Sequence, residues 1–99
     1  MKNWLMTTRK KVYLTRTILE PGLSMLLKEC EVFLNKKTVP PTKKEILKNI
    51  RGKDGILCTL SDKIDAEVME EAGPTLKVIS SYSTGFDHID VEEATKRGI

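Results

Sequence analysis

The chain has 99 residues and a formal net charge of +3 at pH 7, with 39% hydrophobic and 31% charged residues. This length supports one small domain with one core, and the balance is typical of a globular protein rather than a disordered one. No apolar run approaches the roughly 20 residues that span a bilayer. Residues 1–8 are too short and too polar for a secretory signal, and residues 1–10 are predicted to form a flexible N-terminal tail. We therefore expect a cytoplasmic protein without a membrane partner.

Basic residues cluster at 9–11, 36–37 and 43–44. One interpretation is a phosphate-binding surface. The favoured one is that they solvate a strand entry, a loop and a helix start, because no aromatic residues interleave with them as on nucleic-acid-binding surfaces. No nucleic acid partner is therefore expected.

Cys30 and Cys58 match no zinc or redox spacing, so no metal site is predicted. A buried thiol is predicted at Cys58, and a disulfide is left open.

The first half of the chain predicts two strands and two helices. A strand near residues 11–15 precedes a helix that has Pro21 in its first turn and ends near residue 29 or 30. One apolar face of that helix is predicted from Leu23, Leu26 and Leu27. A second strand covers residues 32–34. Thr42 and Glu45 then form a capping box at the start of a second helix. The buried face of this helix is predicted to be Ile46, Leu47 and Ile50.

The second half of the chain repeats the alternation of strands and helices. A third strand is predicted within residues 55–60, and Asp65 is placed to cap the third helix. The buried face of this helix is predicted to be Val68, Met69 and Ala72. Gly73 and Pro74 form a typical helix stop. A fourth strand is predicted over residues 76–80.

The last stretch combines that strand with a hydroxyl-rich turn and a capped helix. Asp90 is predicted to be the N-cap, with Glu93 completing a second capping box, and Gly98 supplies the C-terminal stop. Open α/β sheets bind ligands in loops of this kind, at the carboxyl end of a parallel strand. Exposed backbone N–H groups at such a place favour an anion.

Short apolar strands that alternate with helices indicate a parallel sheet with helices on both faces. With right-handed crossovers, this predicts a flavodoxin-like three-layer α/β/α fold.

Three segments resemble one enzyme family. The stretch VISSYSTGFDHIDVEEATKRGI resembles the strand, loop and helix of the D-isomer-specific 2-hydroxyacid dehydrogenases. The stretch GILCTLSDKIDAEVMEEAGPTLKVIS resembles their glyoxylate reductase/hydroxypyruvate reductase branch, and KVYLTRTILEPGLSML fits its first strand and helix. The resemblance implies that residues 11–99 are the N-terminal part of the substrate-binding domain. It also implies a strand order of 2-1-3-4 with a truncated fifth strand, and an absent dinucleotide-binding domain.

The resemblance implies a parent oxidoreductase that transfers a hydride between NAD(P)H and a small 2-keto or 2-hydroxy acid. In the family, the catalytic Arg, His and carboxylate and the G-x-G-x-x-G motif all lie downstream of the matching region. No catalytic residue is therefore expected in this chain, and the chain alone is expected to bind neither NAD nor NADP. The parent is expected to be a homodimer. We interpret an end at Ile99 as a fragment, an alternative product or an incomplete gene model.

The resemblance also implies which residues contact the substrate. Backbone N–H groups at Thr84 and Gly85 would grip the substrate carboxylate, since glycine lets the backbone approach closely. The loop that carries Leu60 and Ser61 would close over the other end of the substrate. His88 is adjacent to Asp87 in sequence, but it is predicted to satisfy backbone groups in the loop rather than to act as a catalyst.

The alternative function is a non-catalytic small α/β binding module derived from the same fold. A phospho-receiver is disfavoured because Thr15-Arg16 and Cys58-Thr59 stand where acidic residues would be needed. A flavodoxin is disfavoured because TRTILEPG is not a phosphate-binding loop.

Overall fold

The computed structural model describes residues 9–83 and 85–99, in which strands and helices alternate. The strands are β1 (Lys10–Leu14), β2 (Cys30–Leu34), β3 (Gly55–Cys58) and β4 (Val78–Ser81). The helices are α1 (Gly22–Glu29), α2 (Lys43–Asn49), α3 (Ala66–Ala72) and α4 (Val91–Lys96). All strand pairs are parallel and the order is β2-β1-β3-β4, which confirms the predicted fold class and strand order.

One face of the sheet carries the main core. Tyr13, Ile56 and Ile79 are in register across β1, β3 and β4, and side chains in register point to the same face. Helices α2, α3 and α4 cover this face. The buried cluster consists of Tyr13, Ile46, Ile50, Ile56, Cys58, Ile64, Val68, Met69, Ala72, Leu76 and Ala94. It contains the buried residues predicted for α3 and two of the three predicted for α2, while Leu47 packs at its border.

The opposite face is covered more thinly. Among the described residues, helix α1 is the element on this side, where Leu26 faces Val12 and Leu57 across an open groove. Val78 of β4 lies on the same face and is 57% exposed. The apolar face predicted for α1 from Leu23, Leu26 and Leu27 is only partly covered, since Leu26 faces the sheet while Leu27 is 50% exposed.

Local capping starts three of the helices. The hydroxyl of Thr42 accepts a hydrogen bond from Glu45 N, and the Glu45 carboxylate accepts one from Thr42 N, which confirms the predicted capping box. Asp65 caps α3 through Val68 N, as predicted. Asp90 caps α4 through Glu93 N at 3.0 Å.

The second capping box, predicted at Asp90 and Glu93, is only half formed. The N–H of Asp90 donates to the carbonyl of Ile64 at 2.9 Å instead of to Glu93. The Glu93 carboxylate instead accepts a hydrogen bond from Arg97. A bond to a neighbouring loop has therefore replaced the local one.

Strand boundaries differ from the predictions by a few residues. β3 ends at Cys58 rather than at residue 60, because residues 59–62 form a turn. β4 covers Val78–Ser81 rather than 76–80. β1 begins at Lys10, inside the predicted tail, and residues 1–8 lie outside the described part of the chain.

Asp65 also joins α3 to α2, because its carboxylate accepts a hydrogen bond from Lys43 Nζ at 2.7 Å. Partial burial raises the pKa of Asp65, but the bonds from Lys43 and from Val68 N–H outweigh burial and hold this pKa below its usual value. A lowered folded-state pKa adds stability above the unfolded-state pKa, and that stability is lost as the pH falls through the folded-state pKa.

We therefore predict that the effect of Asp65→Asn depends on pH. Asparagine keeps an N-cap acceptor but removes the ion pair, so the free energy of unfolding should fall by up to about 1 kcal/mol at pH 7. The loss should be smaller near pH 2, where Asp65 is more protonated and the ion pair is weaker. Urea unfolding at the two pH values measures this, with Glu67→Gln as the control for the longer 3.6 Å contact to Lys43. An equal loss at both pH values would contradict the charge-based account.

Candidate functional site

The candidate site lies at the carboxyl edge of the sheet. Parallel strands all end at this edge, so the segments that follow β1, β3 and β4 lie side by side there. They are Thr15 after β1, residues 59–65 after β3, and residues 82–83 and 85–90 after β4. Leu60, Ser61 and Gly85, three of the predicted substrate-binding residues, belong to the second and third segments.

A tight turn places Leu60 and Ser61 at its exposed tip. The turn is closed twice, since Asp62 N donates to Thr59 O at 3.0 Å and Thr59 N donates to Asp62 Oδ2 at 2.8 Å. Leu60 is 59% exposed, although it is a large apolar residue. The turn therefore presents an apolar side chain and a hydroxyl at the carboxyl edge.

The carboxylate of Asp62 is fully buried below that tip. Its Oδ2 accepts hydrogen bonds from Thr15 Oγ1 at 2.6 Å, from Thr59 N, and from Thr59 Oγ1 at 3.3 Å. Its Oδ1 is buried and has no hydrogen-bond partner among the described residues. Sequence reasoning treated Asp62 as an ordinary loop residue. The signal it missed is an Asp three residues after a Thr that ends a strand.

Gly85 lies in the loop after β4 with a φ of 86°, in the left-handed region that favours glycine. A Cβ atom there would meet no heavy atom within 4 Å. The constraint at this position is therefore the backbone conformation and not space. The residue is exposed, so its backbone is open to solvent. Thr84, the other predicted contact of the carboxylate, lies outside the described residues.

The imidazole of His88 contacts hydroxyl groups. Its Nε2 lies 2.9 Å from Ser81 Oγ, which in turn lies 2.5 Å from Ser83 Oγ. Its Nδ1 is buried without a hydrogen-bond partner in the described part of the chain. The prediction that His88 satisfies backbone groups is thus wrong for the ring, which binds a serine side chain. Asp87 is exposed and the His88 ring contacts Ser81, so Asp87 and His88 do not form an oriented acid–base pair.

Main-chain hydrogen bonds join the loops after β3 and β4. Ile64 N donates to His88 O, and Asp90 N donates to Ile64 O, both at 2.9 Å. These bonds form a parallel bridge between Ile64 and Ile89, and Ile64 is fully buried. The two loops that carry the predicted substrate contacts are therefore connected to each other.

Burial is the main cause of the pKa shifts of two groups that lie below the carboxyl edge of the sheet. Desolvation, with a smaller contribution from the nearby Asp62 carboxylate, raises the pKa of Tyr13 to about 12 and that of Cys58 to about 11. The edge itself offers backbone N–H groups and hydroxyls beside exposed apolar side chains such as Leu60 and Phe86. No group of three or more potential metal ligands occurs within residues 9–83 and 85–99. No helix in those same ranges has the length and apolar character needed to cross a membrane.

Comparison with known proteins identifies the relatives of this chain. Residues 12–99 match the family described as D-isomer specific 2-hydroxyacid dehydrogenase, catalytic domain. The chain is 64% identical over 92 residues to a glyoxylate reductase from Thermofilum pendens and 43% identical over 91 residues to one from Thermococcus litoralis. In both cases the match covers 92% of this chain and 27% of the relative, so the chain spans about a quarter of their length.

Solved structures give the same relationship. A protein from Thermus thermophilus superposes with a TM-score of 0.82 at 43% identity, over 90% of this chain and 28% of that one. An NAD+-bound 3-phosphoglycerate dehydrogenase from Entamoeba histolytica superposes with a TM-score of 0.74 at 26% identity, over 92% of this chain and 31% of that one.

We predict that Cys58 resists alkylation in the folded chain. The thiolate is the reactive form, and a buried thiol with a pKa of about 11 supplies very little of it at pH 8. Iodoacetamide labelling followed by mass spectrometry should modify the half-buried Cys30 first and Cys58 only after unfolding in urea. A Cys30→Ser variant isolates the reaction at Cys58. Labelling of this variant at the same rate with and without urea would contradict the burial of the thiol.

Proposed function

Because the chain belongs to the D-isomer specific 2-hydroxyacid dehydrogenase family, we propose that it forms the substrate side of an oxidoreductase acting on a small 2-keto acid. The reaction is hydride transfer between a nicotinamide cofactor and C2 of glyoxylate, hydroxypyruvate or a close analogue. The observation that carries the proposal is the joined pair of loops at the carboxyl edge, one with Leu60 and Ser61 and the other with Gly85. The names of the curated relatives support the substrate class.

In this proposal, the exposed backbone around Gly85 binds the substrate carboxylate. Amide N–H groups form charge-assisted hydrogen bonds with carboxylates, and a left-handed glycine turns its amide outward without a side chain in the way. Thr84 would contribute the neighbouring N–H. Leu60 and Ser61 would contact the other end of the substrate from the adjacent turn.

We assign no site for the nicotinamide cofactor to the described residues of this chain. Four glycines have positive φ, namely Gly52, Gly73, Gly85 and Gly98, but they lie in separate turns and do not form a G-x-G-x-x-G loop. The proposal therefore assigns cofactor binding to another part of the enzyme. The NAD+ of one structural neighbour supports a nicotinamide dinucleotide, with NAD and NADP both open. A homodimer and a cytoplasmic location stay predictions.

A chimaera tests the proposal directly. The matching 92 residues of the Thermofilum pendens glyoxylate reductase would be replaced by those of this chain, which are 64% identical. NADH- and NADPH-dependent reduction of glyoxylate and hydroxypyruvate would then be measured. Turnover supports the proposal, and a folded chimaera without turnover contradicts it.

We predict that Gly85→Val in this chimaera raises KM for the 2-keto acid and lowers kcat. A β-branched residue strains the left-handed backbone, and the loss in kcat/KM should be about 10- to 100-fold, as expected when a substrate is displaced by about an ångström. The affinity for the nicotinamide should change little, because the cofactor is held elsewhere.

Gly73→Val is the matched control. Gly73 has a φ of 84°, close to that of Gly85, and equally open surroundings, but it lies in the turn that precedes β4. It should cost similar stability and leave both KM values unchanged. If Gly85→Val weakened cofactor binding as much as turnover, the site would be misplaced.

We also predict that residues 1–99 alone are inactive and self-associate at micromolar concentration. They should oxidise neither NADH nor NADPH with glyoxylate or hydroxypyruvate, since no cofactor site or catalytic acid–base group is assigned to them. Strand β4 lies at the edge of the sheet, and its Val78 is 57% exposed, so unpaired backbone groups and apolar surface invite association. Sedimentation velocity should show oligomers that Val78→Lys reduces. A monomeric, cooperatively unfolding chain would favour the alternative of a free-standing binding module.

A further inference from the structure

A buried carboxylate at the candidate site has no role in the function proposed above. Asp62 is fully buried, and the described atom that anchors its carboxylate from outside its own turn is Thr15 Oγ1, 47 residues away. Thr15 is itself fully buried at the end of β1. Its N–H donates to Leu57 O at 3.1 Å, which fixes it to β3. Asp62 therefore fastens its turn to a rigid point in the centre of the sheet.

The turn above Asp62 has little else to hold it. Leu60 and Ser61 are exposed, so packing in the core does not fix their positions. The hydrogen bonds that define the turn are the backbone bond from Asp62 N to Thr59 O and the bonds from Thr59 to Asp62 Oδ2. A short exposed turn without such bonds samples several conformations. A ligand that orders the turn then loses binding free energy to the conformational entropy of that ordering.

The same segment continues into the bridge with the next loop. Two residues after Asp62, the buried Ile64 exchanges main-chain hydrogen bonds with His88 and Asp90. The His88 ring in turn lies 2.9 Å from Ser81 at the end of β4. Hydrogen bonds, together with the backbone from Asp62 to Ile64 and the side chain of His88, thus connect the ends of β1, β3 and β4.

We propose that Asp62 is a positioning residue for the 2-keto acid, holding the Leu60–Ser61 turn on the end of β1 and aligning it with the Gly85 loop. This inference rests on the proposed function, because it names the substrate whose two ends the loops contact. Asp62 itself is buried and does not touch the substrate.

The pattern of hydrogen bonds to Asp62 allows the effect of its geometry to be tested separately from the effect of its charge. All the bonds from neighbours go to Oδ2, and Oδ1 receives none from the described residues. One carbonyl-type oxygen is therefore enough to hold the turn, and asparagine supplies one in the same place. Alanine supplies none, so Thr59 N loses its acceptor and Thr15 Oγ1 keeps only its longer 3.4 Å bond to Leu57 O.

The kinetic test uses the chimaera described above. Asp62→Ala should raise KM for glyoxylate about tenfold or more, since a displacement of about an ångström has effects of that size. Asp62→Asn should stay within about threefold of the parent, which is rescue by the conservative variant. KM for the nicotinamide should not change in either. Thr15→Val, a nearly isosteric change that keeps Asp62 in place, should give an intermediate rise and serves if Asp62→Ala fails to fold.

Asp54→Ala is the matched control. Asp54 also accepts a backbone hydrogen bond across the β1–β3 pair, from Lys11 N at 2.8 Å, but at the amino edge of the sheet. It should lower stability without a change in either KM. The proposal is overturned if Asp62→Ala leaves the glyoxylate KM within twofold of the parent, if it raises both KM values equally, or if Asp54→Ala has the same effect.

Hydrogen exchange on the chimaera tests the alignment of the loops without any need for activity. In Asp62→Ala, the amides of Thr59, Asp62, Ile64 and Asp90 should exchange faster together, while core amides of β1 and β3 change less. Faster exchange confined to residues 59–62, or a uniform change in all amides, would overturn the coupling between the loops. An inactive parent chimaera would overturn the proposed function and the substrate role of Asp62 with it. The exchange result would still decide whether Asp62 aligns the loops.

Discussion

The parallel pairing of β3 with both β1 and β4 is the constraint on which the candidate site depends. The register places Leu14, Leu57 and Ser80 side by side, so the three strands end at the same level. The segments that follow them are then held next to each other before any side chain contributes. An antiparallel neighbour would have sent one of these segments to the opposite edge. Everything inferred about the substrate side follows from this shared edge.

Polar contacts at the edge then convert neighbouring loops into a connected unit. Asp62 fastens one loop to the end of β1, and Ile64 joins it to the next loop by two main-chain bonds. The contacts are short-range and largely buried, so solvent competes with them weakly. Such preorganisation matters for a small ligand, which has few atoms with which to offset the ordering of loops. The thinly covered α1 face is a separate surface, which we expect to take part in association rather than in the site.

The sequence predicts the fold well because its signals are local. The caps at Thr42 and Asp65 need partners only three residues away, and the glycine stop at Gly73 needs only its own φ of 84°. One capping prediction was wrong because a distant contact competed. The N–H of Asp90 binds Ile64 instead of Glu93. This outcome is not visible in the spacing of nearby residues.

Prediction of the site was less complete, for a related physical reason. Resemblance indicated Leu60, Ser61, Thr84 and Gly85, and the structure places the described three at one edge without testing their role. Asp62 was missed because an Asp in a polar loop is normally exposed. Its burial depends on a hydroxyl contributed by Thr15 from another strand. Sequence patterns report periodicity and caps, but they do not report which distant donor will meet a carboxylate.

A buried carboxylate so close to a proposed anion site raises an electrostatic question. Burial is the main cause of the raised pKa of Cys58, and the nearby Asp62 carboxylate is a smaller one. A substrate carboxylate would be repelled by the Asp62 charge unless local dipoles offset it. Three donors converge on Oδ2, and their positive ends screen the charge on the side that faces Thr15 and Thr59. The proposed substrate contact lies on the separate Gly85 loop. Separation of the proposed positioning carboxylate from the proposed anion-binding amides, on two adjacent loops, would allow both at one edge.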